Sequence, residues 1–155
     1  MTPGTNRRRT IFGAVDLHTG RSLYQVIHKA ITANFTGFCE QLLAAYPAAP
    51  VVAVICDNNI IIHRSKLVRR WPAAHPPMLV LHGARHSPND NPTERIWAAV
   101  KAWLANSPTS TIQGRLRQVH AFFRQQTTAQ LLATAAPHTS PWLSEGYMQN
   151  FRQTA

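Results

Sequence analysis

The sequence predicts an α/β fold built as one domain. Three observations lead there. Residues 51–56, VVAVIC, form a short valine-rich run of the kind that makes a strand buried on both faces. Strand-like and helix-like segments then alternate in the order strand, strand, helix, strand, helix, strand, followed by helices. A chain of 155 residues, 45% of them hydrophobic, suits a single compact core.

The elements follow in order. Met1 to Arg9 is a basic entry containing proline and glycine. Thr10 to Asp16 reads as a strand. His18 to Arg21 is a turn with Gly20 at its tight position, and Ser22 to Ile27 is the returning arm of a hairpin. Asn34 to Tyr46 reads as a helix, with Phe35, Phe38, Leu42 and Leu43 at helical spacing and Asn34 as its N-cap. Pro47 and Pro50 stop it. The strand Val51 to Cys56 follows, with Asp57 at its carboxyl end, where open α/β sheets place their ligands. Ser65 to His75 is a second helix, ended by Pro76 and Pro77. Met78 to Leu81 is a short strand and His82 to Asn91 a loop. A long helix runs from Pro92 to about Asn106, with Ile96, Val100, Trp103 and Leu104 as its apolar stripe. Ile112 to Arg124 and Thr128 to Ala135 are two more helices. Pro137 to Ala155 reads as an irregular tail with Trp142, Tyr147 and Phe151 as anchors. The expected organisation is therefore a domain over 1–136 and a tail over 137–155.

Sixteen Lys and Arg stand against six Asp and Glu, a formal net charge of +10. That imbalance favours a polyanionic partner, most simply nucleic acid. The two cysteines, Cys39 and Cys56, lie in apolar contexts with no disulfide framework or zinc spacing, which points to reduced thiols and a cytoplasmic protein. No apolar run reaches the roughly 20 residues a membrane span needs, and the basic N-terminus lacks a signal-type apolar stretch.

With so few acids, each is informative. A carboxylate at a strand end is costly to bury unless it is paired or binds a metal. Asp57 and Glu94 are the candidate metal-binding pair, since phosphoryl transfer needs carboxylates converging on divalent ions. Both have ordinary structural alternatives. Asn91, Pro92 and Glu94 fit a helix start with Asn at the N-cap, Pro at N1 and Glu at N3 of a capping box. Asp57-Asn58 fits an Asx turn after a strand. His63, His82 and His86 with Asp57 form a rival zinc set. Those histidines fall in loops, where polar residues facing solvent or DNA are common. Trp71, Trp97 and Trp103 read as packing residues rather than base-stacking platforms.

ICDNNIIIHRSK (Ile55 to Lys66) and SPNDNPTERIWAAVK (Ser87 to Lys101) resemble the two signature segments of mariner-superfamily DDE transposases, in the bacterial insertion-sequence branch. The flanks, TPGTNRRRTIFGAVDLHTG and TSPWLSEGYMQNFRQTA, resemble the family more weakly. The resemblance implies an incomplete ribonuclease H-like fold in which Asp57 and Glu94 are the second and third catalytic carboxylates, 36 residues lying between them. It implies Mg²⁺ (or Mn²⁺) as cofactor, and DNA cleavage and strand transfer at transposon ends. DNA at the transposon ends and at the target would be the partner, with a homodimer in the full-length family. Asn58 and His63 would border the site. Arg64, Lys66, Arg69, Arg70, Arg85 and Arg95 would contact phosphate.

The chain departs from the family pattern in two ways. The family's first catalytic Asp lies on a strand preceding Thr10 to Asp16, a central strand between that one and Val51 to Cys56. That strand is expected to be missing, with catalysis by this chain alone absent and a companion chain supplying the N-terminal part. A marginal fold is expected of the chain alone, recovering with a partner that supplies the strand or by pairing of the two exposed strands with each other, with poor solubility as the alternative. Asp16 ends the wrong strand to replace the lost Asp. The second departure is HGARH, His82 to His86, where the family commonly has Pro and Tyr. A non-catalytic DNA-binding remnant, or a regulator of a full transposase, is the rival function.

Overall fold

The computed structural model describes residues 8–57, 65–83 and 90–141. The expected hairpin is there: β1 (Thr10–Val15) and β2 (Ser22–Ile27) pair antiparallel, Thr10 opposite Ile27 and Val15 opposite Ser22. Gly20 adopts φ 72°, a left-handed conformation that glycine enters without a Cβ penalty. Its amide donates to the Asp16 carbonyl at 2.8 Å and closes the turn.

Helix α1 (Thr32–Ala45) starts two residues earlier than the spacing predicts. Its N-cap is Ile31, with no side-chain cap bond. Asn34 is not the cap: it lies inside the helix, and its side-chain amide donates back to the Lys29 carbonyl at 2.8 Å. Phe35, Phe38, Cys39 and Leu42 form the buried face of α1.

Strand β3 (Val52–Cys56) pairs in parallel with β4 (Met78–His82), Val52 opposite Met78 and Cys56 opposite His82. Between them the expected eleven-residue helix is shorter. Helix α2 (Lys66–Arg70), capped by the Ser65 hydroxyl, gives way to a 3₁₀ turn over Trp71–Ala74. Pro72 explains the change, because it cannot donate the amide bond an α-helix needs. His75 stacks on Trp71 at 3.7 Å between ring centroids and closes the turn.

Three helices complete the described fold: α3 (Pro92–Ala105), α4 (Ile112–Gln125) and α5 (Thr128–Ala135). Asn91 caps α3 through its side chain, as expected. The reciprocal capping box recorded among the described residues is at α5, where Thr127 and Gln130 bond each other's backbone amides. Past Ala136 the chain makes a further 3₁₀ turn, Pro137–Thr139. Ser140 is 7% exposed and its hydroxyl donates to the Asp90 carbonyl, which docks the start of the expected tail against the approach to α3. The rest of that tail, with Trp142, Tyr147 and Phe151, lies outside the described residues.

The side chains divide between two cores. One gathers Phe35, Phe38, Cys39 and Leu42 of α1 with Cys56, Val68 and Met78. The other gathers Ile96 and Val100 of α3, Val119 and Phe122 of α4, and Leu131 and Ala135 of α5. The β1–β2 hairpin stands between them. Phe12, Ala14 and Leu23 pack on the first core, whereas Ile11, Val15 and Tyr24 pack on the second. This is the period-two alternation of a strand covered on both faces. Trp71 packs in the first core, Trp97 and Trp103 in the second, which matches the packing role expected of them.

The β3–β4 pair corrects one expectation. Its Val52, Val54, Cys56, Met78 and Val80 face the α1 core. The other face is not buried: Leu79 is 45% and Leu81 42% exposed, and Ala53 is exposed beside them. An apolar run alone does not reveal whether both faces are covered. The two strand pairs form separate two-stranded sheets, and among the described residues β1 and β3 do not pair with each other.

Candidate active site

Asp57 follows the last residue of β3 and is exposed. Parallel pairing sets the carboxyl end of β3 beside that of β4. The Gly83 amide donates to the Cys56 carbonyl at 2.9 Å, so the register holds up to Asp57 itself. The chain leaving β4 reaches α3 nine residues after His82 at Asn91. Glu94 lies in the first turn of α3 and is exposed. Both carboxylates therefore sit on segments that leave the carboxyl ends of one parallel strand pair, the place where α/β sheets gather their chemistry. Two solvent-facing carboxylates are hard oxygen donors, and in donor chemistry they fit a divalent ion such as Mg²⁺. Among the described residues no group of three or more His, Cys, Asp or Glu side chains is arranged to hold a metal.

The phosphate-contact candidates are distributed unevenly. Lys66, Arg69 and Arg70 are exposed on α2, the helix that follows β3. Arg95 is half-buried and its Nη1 donates to the Ala136 carbonyl at 3.2 Å. It braces the end of α5, with further guanidinium N–H groups left over. Asn58, His63, Arg64 and Arg85 lie outside the described residues, as does His86.

Asp16 has a structural task. Its carboxylate accepts from the His18 and Thr19 amides at 2.8 and 3.3 Å, the Thr19 hydroxyl at 2.8 Å and the Tyr46 hydroxyl at 3.1 Å. Burial pushes this carboxyl up, but the hydrogen bonds together outweigh it and hold it below its ordinary value. Arg21 lies 5.1 Å from the Tyr46 ring centroid and donates to the Ala45 carbonyl. Asp16 thus ties the hairpin turn to the end of α1.

Two groupings escaped the sequence. Cys56 Sγ lies 3.4 Å from the Leu81 carbonyl and 3.5 Å from His82 Nδ1, beside Asp57. Strand register alone makes this contact, and no motif marks it. The second is the pair Tyr24 and His120, 96 residues apart, joined at 2.7 Å between the phenol oxygen and Nδ1.

The chain belongs to the DDE superfamily endonucleases, whose family model matches residues 2–117. Its kinship is with the insertion-sequence branch of the DDE transposases. It is 29% identical, over 123 residues, to the uncharacterized 39 kDa protein of insertion element IS630 from Shigella sonnei. The match covers 79% of this chain and 36% of that relative, so the chain spans about a third of the relative's length. No described helix is long and apolar enough to cross a membrane.

Proposed function

We propose that this chain is part of a ribonuclease H-like DDE domain acting in DNA transposition. It supplies Asp57 and Glu94 as two of three metal-binding carboxylates. The third arrives on a further strand, from a companion chain or from polypeptide joined to this one. When bound, Mg²⁺ or Mn²⁺ would activate the attacking water and stabilise the leaving oxygen. Around that centre the chain's own residues orient DNA. Lys66, Arg69 and Arg70 meet phosphates, with Arg64, Arg85 and Arg95 in the same role, while Asn58 and His63 border the carboxylates. Residues 1–136 form the domain and 137–155 its tail. Pairing into a homodimer and association with the nucleoid belong to the same reading.

The observation that carries the reading is the broken sheet. Among the described residues, two strand pairs pack on one α1 core without pairing to each other. The β3–β4 pair leaves Leu79 and Leu81 at a bare apolar face. Unpaired strand edges and uncovered apolar faces are what additional polypeptide ordinarily covers. One further strand between β1 and β3 would join the pairs into a single sheet.

The test is cleavage of DNA carrying the element's ends. The chain is combined with the polypeptide encoded immediately upstream of Met1, in Mn²⁺. Cutting that Asp57→Asn and Glu94→Gln each abolish is the expected result. Cutting that survives either change overturns the site. The rival reading, a non-catalytic DNA-binding remnant or regulator, rests on the net charge of +10. It expects salt-sensitive binding indifferent to Asp57→Asn, with no cutting in any metal.

A further inference from the structure

From Arg95 to Ser144 the sequence holds five Lys and Arg residues and no Asp or Glu. Three of those cations, Arg115, Arg117 and Arg124, lie on α4 and are exposed. Arg117, His120 and Arg124 are three and four residues apart, which sets them one above another along one face of a helix. That face is opposite the buried residues Val119 and Phe122.

Beside it comes Tyr24 from β2. Its ring stacks on Phe123 at 4.2 Å between centroids, and its hydroxyl meets His120 Nδ1 at 2.7 Å. Burial pushes the phenol up, and the Arg124 charge opposes that, which sets the guanidinium within electrostatic reach of the hydroxyl. The phenol therefore stays protonated at neutral pH. When it donates to Nδ1, the imidazole keeps its proton on Nε2, the opposite corner of the ring. A hydroxyl, an imidazole and a guanidinium then share one surface, with Arg117 one turn before them.

We propose that this face of α4, with Tyr24, is a binding surface for the phosphate backbone of duplex DNA, separate from the carboxylates. Arg117 and Arg124 neutralise phosphates, and His120 adds an Nε2–H donor whose ring is oriented by the Tyr24 hydroxyl on Nδ1. Arginine forks suit phosphate oxygens, and an acid-free helix repels no part of a polyanion. Such contacts position DNA without reading its sequence. His120 and Arg124 lie beyond residue 117, where the family match ends. The inference rests on the proposed DNA-binding function but not on its site.

The experiment titrates the 155-residue chain with a 30-base-pair duplex across a KCl series, read by fluorescence anisotropy. The double variant Arg117→Gln, Arg124→Gln is compared with Lys66→Gln, Arg69→Gln. Each phosphate neutralised steepens the plot of log affinity against log salt by about 0.9. The α4 variant should flatten that slope by about two and melt as the parent does. Tyr24→Phe, which keeps the stack on Phe123, should weaken binding without unfolding. An unchanged slope in the α4 variant overturns the surface, and if the α2 variant alone flattens it, the DNA-binding function stands. A parent chain that binds no DNA overturns both. Displacement of the duplex by polyglutamate as readily as by unlabelled duplex also overturns the proposal, since the face would then suit an acidic protein.

Discussion

Trp97 closes over Gly13 so tightly that a Cβ on the glycine would lie 2.5 Å from the indole Cζ2. This contact seats α3, and with it Glu94, on the hairpin. Gly13→Ala should destabilise the protein by about 1–3 kcal/mol, the usual cost of overpacking. Thermal unfolding followed by circular dichroism reads it. Trp97→Leu in the same chain should return part of the loss, because the clash disappears with the indole.

Asp16 predicts how stability responds to acid. Its folded carboxyl is held below its ordinary value by His18, Thr19 and Tyr46 against the opposing effect of burial. A depressed folded pKa contributes stability above the unfolded value, about 3.9, and loses it as pH falls through the folded one. Asp16→Asn should melt lower than the parent at pH 7, with the gap closing as the pH drops below 4. A gap that stays constant across that range would mean the carboxylate charge does not matter.

The thiols should be silent in the native state. Burial, reinforced by the Glu40 charge at Cys39 and by Asp57 at Cys56, pushes both up to about 12. Thiolate is the reactive form, so neither should be modified by a disulfide reagent at pH 8 until the chain unfolds. Two thiols released together at the unfolding midpoint is the expected readout. Prompt reaction of one in the folded chain would place it at the surface.

At α5 the capping box is open to a direct measurement. Thr127→Ala removes the bond to the Gln130 amide and should cost about 1 kcal/mol, within the range of 0.5–2 for lost caps. Equilibrium unfolding in urea gives the difference. Thr127→Asp should retain most of the stability, since Asp also caps.

Local signals carried well where one residue type forces one backbone choice. Gly20 at its left-handed turn, Asn91 before Pro92, and the Val52–Cys56 strand were all legible. So was membership of the DDE superfamily, because its signatures lie on contiguous segments. Competing local choices were harder. Asn34 has the chemistry of a cap but sits inside α1, where its side chain turns back to Lys29. Pro72, in a stretch of helical periodicity, shortens α2. Tertiary facts left no trace in the sequence: the bare face at Leu79 and Leu81, and Tyr24 beside His120, depend on which elements meet.

The hairpin between the two cores has a further consequence for how the chain avoids misfolding. Along β1, Ile11 and Val15 belong to one core and Phe12 and Ala14 to the other. A slip of one residue in the pairing would send each of these side chains to the opposite side. Phe12 would be driven toward Trp97, and Gly13 would leave a hole against α1. In a sheet with one wet face such an error spoils a single core and exposes the rest harmlessly. Here it would be penalised twice, so the hairpin sorts the apolar residues of the two sides and ties their folding into one event.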